Sequence, residues 1–299
     1  MQAVSITQPL HESARWETPA LDLDAYLARI NYFGPLTPDL ATLSALQQAH
    51  LAAIPFENLE IVTGGEINLD LESLQDKLVR RRRGGYCHEQ NTLFATVLDR
   101  LGFEVAGRNA RMLMGDDERV VTPLGHTMLV VTVAGCDWLV DVGVGNVGPR
   151  EPILLEEGNE VSHGPWEYRI ERSPLGYWLL RHRRDGGWFN IYQFSDEPCY
   201  RADSGEYNYL ASHHPASPFV RRIVAQHNGA EERLALTDLE LKVFRPGEAP
   251  ELYKIAAGEL TGVLRERFGL ELTPEQECVL LRRAEKLAGA TSEGEPLGT

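Results

Sequence analysis

The pattern of apolar and polar positions changes twice along this chain. Up to Gly102 the apolar residues recur at three- and four-residue intervals, which predicts helices. Asp22 or Asp24 can cap a first helix carrying Tyr26, Leu27 and Ile30. Thr37-Pro38-Asp39 predicts a second start: a hydroxyl cap, proline at the first helical position, then an acid at the positive end. Leu40, Leu43 and Leu46 follow, and Pro55 stops the run near Ile54. Asp70 caps a third helix with Leu71, Leu74 and Leu78 on one face. A fourth begins close to Cys87, buries Leu93, Phe94, Val97, Leu98 and Leu101, and ends at Gly102.

From Phe103 the runs shorten and become β-rich, over 103–114, 126–133, 137–143, 166–171, 177–183 and 188–194. Turn residues separate them; Asp185-Gly186-Gly187 is a strong hairpin signal, and Ala134-Gly135 reads as another turn. Strands at this spacing predict an antiparallel barrel or sandwich. The last third is mixed. It holds a hairpin around Thr237-Asp238 and helices over Leu260–Phe268 and Pro274–Leu287, the second capped by Thr273. From Gly289 the tail is small and polar and is expected to be disordered. Helices, then strands, then a mixed unit argue for an α+β fold and against βαβ alternation.

Composition narrows the function classes. The chain has 299 residues, 43% hydrophobic and 24% charged, as in an ordinary globular protein. A net charge of −15 argues against broad contact with nucleic acid or an anionic membrane. Arg80–Arg83 is the one basic cluster of note, expected as a solvated helix end. The first twenty residues lack the basic and apolar regions of a secretory signal. Residues 127–145 are long enough for a membrane span, but Asp137 and Asp141 interrupt them and β-branched residues dominate, so two buried strands are expected. The four cysteines lie far apart with no CxxC, which suggests neither a zinc knuckle nor a disulfide framework. A reducing cytoplasmic location is expected.

Cys87 is the residue with the most chemical promise. A thiol becomes a strong nucleophile when it ionises, and a helix N-terminus, nearby cations or an imidazole each favour the anion. Cys87 has the first by position, and Arg80–Arg83 could add a weaker, screened field. Gly84-Gly85 would let the backbone bend tightly before it, since glycine accepts positive φ. His88 is adjacent, but neighbouring side chains diverge on a helix, so it suits the role of base poorly. His213 and His214 are candidates from a loop. His126 is the most telling, because it opens the strand HTMLVVTV while Asp141 closes the next, in WLVDVGVG. A hairpin around Ala134-Gly135 would bring His126 and Asp141 to one end, where the carboxylate holds the imidazole for Cys87. An incidental His–Asp pair on a hairpin is the competing account. Gly143–Gly148 matches GxGxxG, yet Pro149 and strand-like residues follow instead of a helix. Cys87-His88-Glu89 could not easily surround one metal ion, so no metal is expected.

Taken together these residues resemble the arylamine N-acetyltransferase family. Ile54-Pro55-Phe56-Glu57-Asn58-Leu59 is similar to its PFENL segment, and Arg83-Gly84-Gly85-Tyr86-Cys87 to its RGGxC nucleophile motif, continued by Glu89 and Asn91. His126-Thr127-Met128 and Leu139-Val140-Asp141-Val142-Gly143 resemble the segments carrying the family's histidine and aspartate. His214-Pro215, Ser217 and Phe219 resemble a further one. The resemblance implies a helical bundle (1–102), a β-barrel (103–210) and an α/β lid (211–299) around a cysteine-proteinase-like core. It implies Cys87, His126 and Asp141 as a catalytic triad. Acetyl-CoA would be co-substrate, and a small aromatic amine or hydrazine the acceptor, with ping-pong transfer through an acyl-cysteine. The backbone N–H of Cys87, with Gly125 as a second candidate, would form the oxyanion hole. Phe56, the residue at 144 and Phe219 would line the acceptor site. Two positions depart from the family: Val144 stands where phenylalanine is usual, and His88 where an aromatic or apolar residue is common. A smaller residue at 144 would also suit a relative of different use, an amide synthase closing macrolactams from a carrier-bound polyketide. A cysteine peptidase or transglutaminase, or a non-catalytic binding protein, are rivals of other classes.

Overall fold

The computed structural model describes residue 16, residues 18–184 and residues 186–292, without the side chains of 290–292. The N-terminal part contains α1 (Leu23–Arg29), α2 (Leu40–Ala53), β1 (Phe56–Glu57), α3 (Leu59–Val62), α4 (Leu71–Leu74) and α5 (Cys87–Arg100). Aspartates start three of these helices: Asp22 accepts from Ala25 N, Asp39 from Thr42 N and Asp70 from Ser73 N. The α2 cap is therefore Asp39 and not Thr37, and Pro38 lies outside the helix. α4 runs into a π-helical turn over Gln75–Arg80.

α5 is the central element. The sequence predicts an amphipathic helix, but every residue from Cys87 to Leu98 is buried. Its apolar stripe packs with α1, α2 and α4, against β-strand residues Leu129, Val131 and Val140, and against Val142 just beyond β4. Its polar face is buried too, and His88, Glu89, Gln90 and Asn91 there hydrogen-bond to neighbouring elements.

The middle part holds β2 (Glu104–Met112), β3 (Leu124–Val133), β4 (Cys136–Val140), β5 (Ile153–Leu154), β6 (Glu160–His163), β7 (Trp166–Arg172), β8 (Trp178–Arg184) and β9 (Gly187–Cys199). They form one antiparallel, nearly closed sheet in the order β5-β4-β3-β2-β9-β8-β7-β6. β3 and β4 turn at Ala134 and Gly135, at φ 52° and 77°, with Val133 opposite Cys136. This is the twist-matched turn that a tight hairpin needs. β8 and β9 are joined at the predicted glycine turn, Arg184 opposite Gly187, though Asp185 lies outside the described residues.

The last part comprises α6 (Arg201–His213), α7 (Pro218–Arg221), β10 (Val224–Asn228), β11 (Arg233–Thr237), β12 (Glu240–Phe244), β13 (Glu251–Lys254), α8 (Leu260–Phe268) and α9 (Pro274–Ser292). Two features cross the expected divisions. α6 straddles residue 210, and β1 from the N-terminal part pairs with β10 as the edge of the second sheet, Phe56 opposite Gln226. α9 continues through Gly289 to Ser292; the rest of the tail expected to be disordered lies outside the described residues. The architecture is α+β: a helical bundle, an antiparallel barrel-like sheet and an α/β lid. Among the described residues no helix is long and apolar enough to cross a membrane.

Candidate active site

Cys87 is the first residue of α5, where backbone N–H groups have no intrahelical acceptor. The chain reaches it through Arg83, Gly84 and Gly85. These glycines are not in the positive-φ region; Arg82 is, at φ 52°. What demands glycine is close approach: a Cβ on Gly84 would lie 2.2 Å from the Pro55 carbonyl oxygen. Gly85 in turn hydrogen-bonds to Pro55 O and gives its own carbonyl to Glu57 N.

The basic run divides. Arg80, Arg81 and Arg82 are exposed, whereas Arg83 is 2% exposed and pairs with buried Glu57 at 3.0 Å. Lys77 and Glu89 form a second buried pair at 2.6 Å, and Glu89 also accepts from Tyr86 N. Burial pushes the Glu89 carboxyl up, against the pull of Lys77. Behind the loop, Tyr26 donates to His50 Nδ1 and His50 Nε2 donates to Gln90 Oε1, while Gln90 Nε2 donates to the Gly85 carbonyl. Burial holds His50 neutral, at about 3. The turn before the cysteine is thus pinned by two ion pairs and a hydrogen-bond chain.

From the other side come β3 and the end of β4. His126 Nε2 is 2.7 Å from Asp141 Oδ2, both groups buried. Asp141 Oδ1 accepts from Asn91 Nδ2 at 3.0 Å and from Gly143 N at 2.8 Å. Asn91 also gives Nδ2 to the Thr127 carbonyl and takes Val142 N on Oδ1. It lies four residues after Cys87, on the same helix face, and stitches α5 to both strands. The spacing was the available signal, a polar residue inside an apolar stripe. The Tyr192 hydroxyl of β9 is buried within reach of Asp141 without closing a hydrogen bond of ordinary geometry, and its ring lies 5.1 Å from that of His126.

With Nε2 committed to Asp141, His126 has Nδ1 free for the sulfur. Burial alone would push the Cys87 thiol up. The charge of His88 and hydrogen bonds from His126 and His88 outweigh it, so the thiol is drawn well below its ordinary value. Burial would lower His126, but the charge and hydrogen bond of Asp141, then Cys87, raise it. Both shifts describe one thiolate–imidazolium pair. The arginines do not figure among the causes; Arg80, Arg81 and Arg83 pair instead with Glu57, Glu60, Glu72 and Asp76.

Other expectations land elsewhere. His213 ends α6 near Ser212 and Tyr209, and His214 caps that helix; neither figures among the groups acting on Cys87. The atom that Gly125 turns to the sulfur is its carbonyl oxygen, 3.9 Å from Sγ, an acceptor where an oxyanion needs a donor. Phe56 and Phe219 meet at 5.8 Å, and Phe219 stands edge-on to Tyr86 at 5.3 Å. Asn58 fixes that wall, donating to the carbonyls of Phe219 and Arg222 and accepting from Val224 N. Val144 belongs to the barrel-side cluster with Ala110, Met128 and Tyr192. Its segment is tied back by Gln226, which faces Phe56 and accepts from Asn146 N at 2.9 Å. The GxGxxG match forms a 3₁₀ turn over Gly145–Val147 with no helix after it. Among the described residues no group of three or more His, Cys, Asp or Glu side chains could hold a metal.

Comparison with known proteins shows which family the chain belongs to. A family profile described as N-acetyltransferase matches residues 39–277. The arylamine N-acetyltransferase of Mycolicibacterium smegmatis is 38% identical over 259 residues, covering 85% of this chain and 93% of that protein. The crystal structure of the Nocardia farcinica arylamine N-acetyltransferase superposes with a TM-score of 0.85 at 41% identity, covering 91% and 98% of the two chains. That of the Mycobacterium marinum arylamine N-acetyltransferase in complex with CoA gives 0.81 at 33% identity, covering 87% and 99%. The chain therefore belongs to the arylamine N-acetyltransferase family of acyl-transferring enzymes.

Proposed function

We propose that this enzyme moves an acetyl group from acetyl-CoA to small arylamines or arylhydrazines through an acetyl-Cys87 intermediate. One observation carries the reading: a buried thiol at a helix N-terminus is drawn toward its anion by the imidazoles of His88 and His126, the latter fixed at its far nitrogen by Asp141. The Cys87 thiolate attacks the thioester carbonyl. The tetrahedral oxyanion takes a hydrogen bond from the Cys87 N–H, which the helix leaves free. Collapse expels the coenzyme A thiolate, which takes the proton held by His126. The amine then attacks the acetyl-cysteine, His126 accepts the amine proton, and the Cys87 thiolate departs. Asp141 keeps the imidazole oriented and stabilises its cationic form. General acid–base help of this kind supplies ~10²–10⁴-fold.

Acetyl-CoA as donor is supported by the CoA complex of the Mycobacterium marinum relative. Phe56, Phe219 and Tyr86 offer a ring-lined wall for a flat acceptor, and Val144 leaves more space than phenylalanine would. Free thiols at Cys87, Cys136, Cys199 and Cys278 suit a reducing cytoplasm. Intact-protein mass spectrometry after exposure to acetyl-CoA tests the reading. We expect a gain of about 42 Da on Cys87, lost on adding an aniline. No adduct with acetyl-CoA, together with turnover of a long acyl thioester, would point to the amide synthase use instead.

A further inference from the structure

One member of the basic run Arg80–Arg83 stands apart. Arg80 and Arg81 pair with Glu72, Asp76 and Glu60, and Arg83 pairs with Glu57. Arg82 takes φ 52° and is exposed, and its side chain makes no hydrogen bond or ion pair among the described residues. It lines a cavity of about 360 Å³ together with Arg29, Asn31, Pro55, His227 and Arg267. Three guanidinium groups thus converge on one cavity, and none of the residues lining it is acidic. The chain as a whole carries a net charge of −15, so such a concentration of positive charge is local and specific.

The three arginines differ in what else holds them. Arg29 is 6% exposed; its Nε donates to the Leu78 carbonyl at 2.9 Å and its Nη2 to the Arg82 carbonyl at 3.3 Å. Its bonds go to backbone, and among the described residues it has no ion pair with a carboxylate. Burial first, then the charge of Arg82, pulls the Arg29 pKa down to about 10, so the two cations act unfavourably on each other. Arg267 Nη2 lies 2.8 Å from Glu232, a carboxylate that also serves Arg245. His227 Nε2 donates to the Ala52 carbonyl at 3.3 Å, and burial lowers its pKa, so its ring adds no charge at neutrality. Helix ends account for two of the cations: Arg29 and Arg267 lie in the last turns of α1 and α8, where positive charge complements the dipole. Arg82 lies outside every helix, and its charge beside Arg29 is destabilising unless an anion joins them.

We propose that this cavity is a binding site for a diphosphate-type anion, held by the guanidinium groups of Arg29, Arg82 and Arg267. The planar N–H forks of arginine match phosphate oxygens, and the cavity is of a size that takes a small ligand. None of Cys87, His126, Asp141, Phe56, Val144 and Phe219 lines it, so the site is separate from the triad and from the acceptor wall. The bound anion offsets the repulsion between Arg29 and Arg82. Because Arg29 also holds the carbonyls of Leu78 and Arg82, the anion braces the stretch of chain that runs into Cys87.

Calorimetric titration of the full chain with pyrophosphate at fixed ionic strength tests the site. Arg82→Gly removes the guanidinium and accepts φ 52° without strain, so a loss of binding there is a loss of charge. Saturable binding is expected in the wild type, about tenfold weaker or more in Arg82→Gly and largely kept in Arg82→Lys. Thermal melts without ligand should show Arg82→Gly at least as stable as the wild type. No saturable binding, or equal affinity in Arg82→Gly, overturns the proposal. Should the glycine variant not fold, Arg267→Gln decides: weaker binding is expected, and unchanged affinity overturns it. Coenzyme A carries a diphosphate of its own, so it is titrated with and without saturating pyrophosphate. Equal affinity is expected; competition would overturn a separate site and place the phosphates of coenzyme A in this cavity.

Discussion

Gly143 lies so close to Cys87 that a Cβ on it would fall 2.6 Å from the Cys87 Cα and 2.6 Å from Asn91 Nδ2. The end of β4 and the start of α5 thus touch backbone to backbone, and Asp141 and Cys87 enter the site from two sides of that contact. Gly143→Ala has to push them apart. We expect a destabilisation of about 1–3 kcal/mol from overpacking. Displacing the nucleophile against its base should lower kcat/KM by about 10²-fold. Thermal melts and steady-state kinetics check both; an alanine variant with full activity would mean the contact does not position the sulfur.

Asp141→Asn keeps the shape of the site and removes the charge. Its amide can donate to His126 Nε2 and so select the tautomer that protonates Nδ1, the edge that must take a proton from the sulfur. We expect kcat to fall by about 10³-fold or more, with little loss of fold. The thiol midpoint should move up at the same time, because Asp141 is what raises His126. A loss of rate with an unmoved midpoint would assign Asp141 a role other than holding the imidazolium.

Lys77 and Glu89 form a buried pair under the Tyr86–Cys87 turn. Lys77→Met leaves a carboxylate buried without its cation, which should cost about 3–5 kcal/mol in urea unfolding. Because burial already raises Glu89, the lone carboxyl takes up a proton as pH falls. Folded protein then binds more protons than unfolded, so the variant's deficit should shrink from pH 8 toward about pH 5. A deficit that grows in acid would contradict this.

Phe219 is half-buried and touches both Phe56 and Tyr86. Phe219→Ala should weaken arylamine binding by about 0.5–1.5 kcal/mol, read as a roughly 2–10-fold rise in acceptor KM. Acylation by acetyl-CoA in the absence of amine should change little. A selective loss of acylation would place the ring on the donor side instead.

Much of this site was legible in the residues because its signals are local. A lone aspartate ending an apolar strand needs a partner, and the turn residues Ala134 and Gly135 set the register that brings His126 to it. Cys87 at a helix mouth was visible from the apolar spacing behind it. What was hidden depends on distant chain. Phe56 pairs with Gln226, and Asn58 holds Phe219, across more than 160 residues, with no pattern in either segment to announce the other. Sheet order was hidden for the same reason: β2 neighbours β9, with six strands between them in sequence. Arg83 could not be told from Arg80–Arg82 by composition; only the buried Glu57 distinguishes it.

Ultraviolet titration of the thiolate, wild type minus Cys87→Ala, tests the central claim most directly. The Cys87 pKa is lowered, so the anion persists as pH falls and is protonated only near about 5. The imidazolium facing it is raised and gives up its proton only near about 10, so the charged pair spans neutrality. The account predicts a difference midpoint close to about 5 that moves sharply upward in His126→Gln. A wild-type midpoint near the ordinary thiol value of about 8.5 would contradict it.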